Sequence, residues 1–246
     1  RAGAHLNNTE NRATNYPSLR RWAAEGQSGD DAIDSMYADM AKLVAAVRNG
    51  EMTGATGKPF TDIVNIGIGG SDFGPRLVCD ALANQGTSSL KNHFAANIDP
   101  SVITEILTTI PAETTLFIVA SKSFGTQETR SNATAARGWL RDKLNKDNVD
   151  PHFVAVTSKP ESAEAFGIRK DLILCVPEWV GGRFSVWSAF GLAIALSSGM
   201  DNFKALLTGA YQIDQHVEHA PPEQNIPMIL GLLDVWYRNA WGISSQ

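Results

Sequence analysis

Apolar positions change their spacing twice along this chain, and the changes divide it. Residues 1–30 are polar and poorly periodic, with Asn, Thr, Gly and Ser scattered through them, and are expected to be irregular. Ile33, Met36, Tyr37, Met40, Leu43, Val44 and Val47 then recur at steps of three and four, as in an amphipathic helix, with Gly50 as its stop. Residues 51–60 contain Gly54, Gly57 and Pro59 and read as a linker. From Thr61 onward, short β-branched runs alternate with helical patterns. Strands are expected at 62–66, 93–96, 115–120, 153–156 and 172–176, and helices at 75–82, 101–110, 126–144 and 161–166. Pro75 suits the first turn of its helix. A nearly all-apolar helix is expected at 189–196 and an amphipathic one over 201–219. After Pro221 and Pro222, the apolar stretch 228–236 reads as buried on most sides.

Strands alternating with helices place the chain in the α/β class, with a five-stranded parallel sheet covered on both faces. Right-handed crossovers restrict the topology. In the order 2-1-3-4-5, strands one and three are neighbours at the switch point, where ligands of open α/β sheets bind. Three segments follow: 1–54, irregular and helical; 55–196, the sheet domain; and 197–246, helices that would belong to a second, truncated domain.

The two loops that would meet at the switch point carry the chemistry. One runs Ile66-Gly67-Ile68-Gly69-Gly70-Ser71-Asp72-Phe73-Gly74-Pro75, the other Ala120-Ser121-Lys122-Ser123-Phe124-Gly125-Thr126. A strand–turn–helix junction points unpaired N–H groups out of the helix start, which favours an anion. The first loop is glycine-rich, so a ligand can approach its backbone; the second is rich in hydroxyls and has one lysine. A dinucleotide fingerprint starting at Gly67 fails at its sixth position, Asp72, and a phosphate-binding Gly-Lys-Ser/Thr sequence is absent after Gly70. Arg183, between Gly181-Gly182 and an apolar helix, is placed to be held rigidly near a crevice.

Composition narrows the partners. Lys plus Arg is 21 and Asp plus Glu is 26, a net charge of −5, which argues against a general nucleic-acid surface. An anionic small ligand is compatible, because the field at a site is local. Cys79 and Cys175 form no CxxC pair and read as two reduced thiols in a cytoplasmic protein. No apolar run is long enough to span a bilayer. Asn7-Asn8-Thr9 and Asn132-Ala133-Thr134 read as chance matches to the glycosylation pattern. His216 and His219 lie one helical turn apart without a third ligand, as on an exposed helix face rather than a metal site. The chain starts at Arg1 and reads as a piece of a longer protein.

Four motifs in order resemble the glucose-6-phosphate isomerase family: IGIGGSDFGP at 66–75, ASKSFGTQET at 120–129, GGRFSVWS at 181–188 and APPEQNIP at 220–227. NTENRA at 8–13 resembles a segment near the front of that family. The resemblance implies a sugar isomerase (SIS) domain, a flavodoxin-like αβα sandwich with flanking helices. It implies interconversion of glucose 6-phosphate and fructose 6-phosphate without metal or other cofactor, in glycolysis and gluconeogenesis, by a cytoplasmic homodimer with no nucleic-acid or membrane partner. Carried over by motif, Ser71, Ser121, Ser123 and Thr126 would hold the phosphate, with Gly70, Lys122, Phe124 and Gly125 in the same loops. Arg183 would lie beside the carbons where negative charge develops. The usual loop reads SKTFTT, so Ser123 and Gly125 replace two threonines. The family's general base lies in an ESNGK-like motif that this chain lacks, so the chain alone is expected to be inactive. The alternative is a non-catalytic sugar-phosphate-binding module of a regulator; a third reading, a nicotinamide-binding domain, is disfavoured by Asp72.

Overall fold

A computed structural model describes residues 14–83 and 90–243; the NTENRA motif and Asn7 lie outside them. The elements are α1 (Tyr16–Glu25), α2 (Asp31–Arg48), β1 (Asp62–Gly67), α3 (Gly70–Leu82), β2 (Lys91–Ala95), α4 (Pro100–Thr109), β3 (Thr115–Ala120), α5 (Gln127–Leu144), β4 (Phe153–Thr157), α6 (Pro160–Ala165), β5 (Ile173–Cys175), α7 (Leu192–Ser198), α8 (Met200–His219) and α9 (Ile226–Trp241). The sheet has five parallel strands in the order β2-β1-β3-β4-β5, as expected. β1 and β3 are buried along their whole length, which is why both read as continuous apolar runs rather than alternating ones. Right-handed crossovers put α3 on one face and α4, α5 and α6 on the other; α7 stacks on α3, and α2 on α7.

Three expectations need correction. Residues 16–25 are helical, not irregular. Leu19 is buried, Trp22 stacks on Tyr37 with ring centroids 4.0 Å apart, and Arg20 makes a bidentate pair with Asp214 of α8 at 2.6 and 2.7 Å. Tertiary contacts hold a segment whose local pattern is weak. Second, α3 begins at Gly70 rather than Pro75, so Pro75 stands inside the helix. Its missing N–H would orphan the Ser71 carbonyl; the Nδ2 of buried Asn65, on β1, donates to that oxygen at 3.0 Å instead. Third, α9 is not buried: Leu230, Leu232, Val235, Trp236 and Trp241 are all exposed. Only its start is fixed. Asn225 accepts from the Met228 N–H and donates to the Val217 carbonyl, and the Ile226 N–H donates to His216 Nε2 at 3.1 Å. Among the described residues nothing covers the rest of the helix.

The cysteines are free, and burial pushes the Cys79 thiol up to about 11. Asn132 is buried and donates to the Asn97 carbonyl at 2.8 Å, so it offers no acceptor for a glycan. No helix among the described residues is long and apolar enough to cross a membrane.

A buried histidine ties the linker to the sheet. His152 Nε2 accepts from the Ala55 N–H at 2.8 Å, so the neutral ring carries its proton on Nδ1 and donates to the Thr115 carbonyl at 2.8 Å. Gly54 passes so close that a Cβ there would lie 2.5 Å from the ring. Burial lowers the His152 pKa, with the Thr115 bond opposing it. A depressed histidine contributes stability above its unfolded value, and this is lost as pH falls through the folded one. The unfolding midpoint should therefore drop between about pH 7 and pH 5, and His152→Gln should flatten the dependence while lowering stability at neutral pH. An unchanged slope in thermal melts would rule the histidine out as its source.

Candidate functional site

The register at the switch point brings the two loops together. Gly67 pairs with Ala120 across β1 and β3, so both strands end at one level. β4 runs one residue beyond β3, and the Ser121 N–H donates to the Val156 carbonyl at 3.1 Å. Beyond these ends lies a cavity of about 360 Å³. Its walls include Ser71, Ser121, Lys122, Ser123 and Thr126, so five of the nine expected residues converge there.

Each hydroxyl has a definite setting. Thr126 is the N-cap of α5, yet its side chain makes no capping bond; its Oγ1 lies 3.2 Å from Ser121 Oγ. An N-cap threonine usually satisfies its own helix, and here the hydroxyl is turned toward the cavity loop. Ser123 Oγ accepts from the Gly125 N–H at 3.2 Å, which folds the loop back on itself. The N–H groups of Ser71 and Asp72 close turns onto Ile68 and Gly69 at 3.2 and 3.0 Å. These two N–H groups of the first loop are thus engaged at home, and Ser71 lines the cavity.

The remaining expected residues sit around this cluster rather than in its wall. Phe124 is buried with its ring edge-on to Phe166 at 5.8 Å, and its φ of +51° turns the loop. Gly125 borders a separate shallow cavity with Arg130 and Ser131. Arg183 is exposed, its guanidinium 5.6 Å from the Phe184 ring. The expectation of a rigidly held arginine fits its backbone better than its side chain. The Gly181 N–H donates to the Tyr16 hydroxyl at 2.8 Å, and Ser185 Oγ donates to the Gly70 carbonyl at 3.3 Å. A Cβ on Gly70 would lie 1.9 Å from the Gly182 carbonyl oxygen. Gly70 is therefore the point where the arginine segment rests on the first turn of α3.

Sequence reasoning missed Ile68, Thr129, Ser158, Lys159 and Glu178, which share the cavity wall. Thr129 is 1% exposed and its hydroxyl has no partner. It lies one turn beyond Thr126 on α5, so helical spacing could have pointed to it. Ser158, Lys159 and Glu178 come from the loops after β4 and β5, where no motif signals them. A larger cavity, about 820 Å³, opens at the opposite strand ends beside α2, lined by Lys42, Lys170, Asp39 and Asp171 among others. It meets no strand carboxyl end, so the smaller one is the candidate. Among the described residues no group of three or more His, Cys, Asp and Glu could hold a metal ion.

The sheet order and the hydroxyl-lined cavity at its switch point define a sugar isomerase-type αβα fold. The crystal structure of a glucose-6-phosphate isomerase from Chlamydia trachomatis D/UW-3/Cx superposes with a TM-score of 0.80 at 28% identity, over 94% of this chain and 44% of that one. The sequence pattern of phosphoglucose isomerase matches residues 1–246, and the chain belongs to that family. Glucose-6-phosphate isomerase of Pseudomonas aeruginosa (strain LESB58) is 48% identical over 250 residues, 99% of this chain and 45% of that protein. The protein of the same name from Shewanella baltica (strain OS195) is also 48% identical, over 46% of its length. The chain thus spans under half the length of these relatives.

The two loop glycines should behave oppositely. At Gly125 a Cβ would meet only ordinary contacts, at 3.5 and 3.8 Å, and Gly125→Ala should raise stability by about 0.5 kcal/mol through the unfolded state. Gly70→Ala should cost about 1–3 kcal/mol or more, because backbone must move. Denaturant titrations of the two variants check this; equal effects would remove the close approach as a constraint.

Proposed function

We propose that this chain carries the sugar-phosphate site of an aldose–ketose isomerase that interconverts glucose 6-phosphate and fructose 6-phosphate. The carrying observation is the convergence of the Ser71, Ser121, Ser123 and Thr126 hydroxyls and Lys122 on one cavity, in a member of the phosphoglucose isomerase family. Relatives of this name support the choice of substrate. In this reading residues 55–196 form the ligand-binding unit, flanked by 1–54 and 197–246, and the whole protein is a cytoplasmic homodimer.

The chemistry follows from the placement. The hydroxyls and Lys122 hold the phosphate as an anchor, and this remote binding energy positions the sugar. Proton transfer between C1 and C2 passes through an enediolate, whose oxygens gain negative charge. Arg183, carried over Gly70 on a fixed backbone, supplies the positive charge for it. Gly70 and Gly125 shape the loops, and Phe124 packs beneath the second one. A general base is also required. Among the described residues the one carboxylate in the cavity wall, Glu178, is paired with Lys159, so in this reading the base comes from elsewhere.

Calorimetric titration with fructose 6-phosphate tests the site, with glucose and NAD as controls. Saturable binding of the sugar phosphate alone is expected. Ser71→Ala and Thr126→Ala should each weaken it by roughly 1 kcal/mol, while Arg183→Ala should change it little; unchanged affinity in both hydroxyl variants would place the pocket elsewhere. In a coupled assay this chain alone should show no turnover at enzyme-like rates. Rapid isomerisation would mean that a base within it has been overlooked.

A further inference from the structure

The cavity wall contains more charge than the motifs account for. Two ammonium groups, Lys122 and Lys159, and one carboxylate, Glu178, share it. Lys159 and Glu178 form an ion pair across the loops after β4 and β5. Their side chains are 45% and 62% exposed, so the pair adds little to stability. The backbone that carries Lys159 is nevertheless well fixed. The Lys122 carbonyl accepts from the Ser158 N–H at 3.0 Å, Ser158 Oγ at 2.9 Å and Thr157 Oγ1 at 2.9 Å. Thr157 Oγ1 accepts in turn from the Lys159 N–H at 3.1 Å. The turn bearing Lys159 is thus fastened to the loop bearing Lys122, Ser121 and Ser123.

We propose that Lys159 is a second cation of the phosphate site and that Glu178 competes with the ligand for it, so that this ion pair sets the site's affinity. The inference rests on the sugar-phosphate reading above. A phosphate monoester carries close to two negative charges near neutral pH. With Glu178 on Lys159, the three wall charges sum to one positive. An arriving phosphate meets two cations only when the ammonium is drawn from the carboxylate to the phosphate oxygens. Glu178 then screens the empty site against weaker anions and lowers affinity for the proper one. It is a specificity-determining carboxylate, with no part in proton transfer.

The test is that the two halves of one ion pair act in opposite directions. Titrating this chain with fructose 6-phosphate and, separately, with inorganic phosphate, Lys159→Met should weaken binding about three- to tenfold and reduce its salt dependence. Glu178→Gln should tighten binding, and Lys159→Arg should retain it. If the pair only holds the two loops in place, Lys159→Met and Glu178→Gln will shift affinity in the same direction, and the proposal is overturned. It is also overturned if neither variant changes affinity while Ser71→Ala does; the sugar-phosphate site then stands without Lys159. Failure of the unaltered chain to bind either ligand, in a sample with a cooperative melt, sinks the sugar-phosphate reading and this inference with it.

Discussion

The first turn of α3 must touch two distant parts of the chain at once, and this constraint organises the site. On one side, the Ser71 carbonyl, freed by Pro75, is held by Asn65 of β1. On the other, Gly70 takes the Gly182 backbone at a distance that no side chain permits and accepts a bond from Ser185. A residue with a Cβ at position 70 would lift the arginine segment, and a weaker hold on Ser71 would let the turn tilt. The backbones that carry the candidate phosphate hydroxyl and the candidate enediolate partner are therefore fixed relative to each other. Close-packed backbone gives way less easily than a pair of long side chains would.

Around that turn the polar groups are arranged before any ligand arrives. Thr126 gives up its helix cap, and the Thr129 hydroxyl is buried without a partner. The second carries a cost in the folded protein, since a buried hydroxyl without a bond is penalised, whereas the Thr126 hydroxyl keeps its contact with Ser121. The Lys122 carbonyl, accepting three bonds, offsets part of this by locking two loops into one. Groups held in this way lose little further freedom on binding, which is how a site of mostly neutral donors can retain an anion.

The strands and their order could be read from the sequence because both faces of the sheet are covered, so β-branched runs stand out and crossover handedness does the rest. The two motif loops were visible for a related reason: glycines and hydroxyls stand out where an apolar strand gives way to a helix pattern. What was hidden depends on tertiary partners. Arg20 finds Asp214 across nearly two hundred residues, and nothing local announces α1. Pro75 suggested a helix start, yet Asn65, ten residues earlier, replaces the hydrogen bond whose loss disfavours proline in the interior. Lys159 and Glu178 reach the cavity only because β4 ends beside β3 and β5 beside β4. The apolar periodicity of α9 reads as burial, but periodicity reports what a face requires and not where its cover lies.

The charge balance connects these levels. A chain with a net charge of −5 would repel a dianionic ligand at long range, so attraction has to be local and short. Hydroxyls at a switch point meet that need, because they bind at contact distance and add no charge that the fold must neutralise when empty. Their limit is discrimination: neutral donors accept many oxyanions. A cation held by a neighbouring carboxylate remedies this, since only a ligand able to outcompete that carboxylate gains it. In the proposed reading Arg183 stands apart from the anchor, over Gly70, where the phosphate does not consume its charge. Anchor and chemistry can then be tuned separately, although both start from the same turn of one helix.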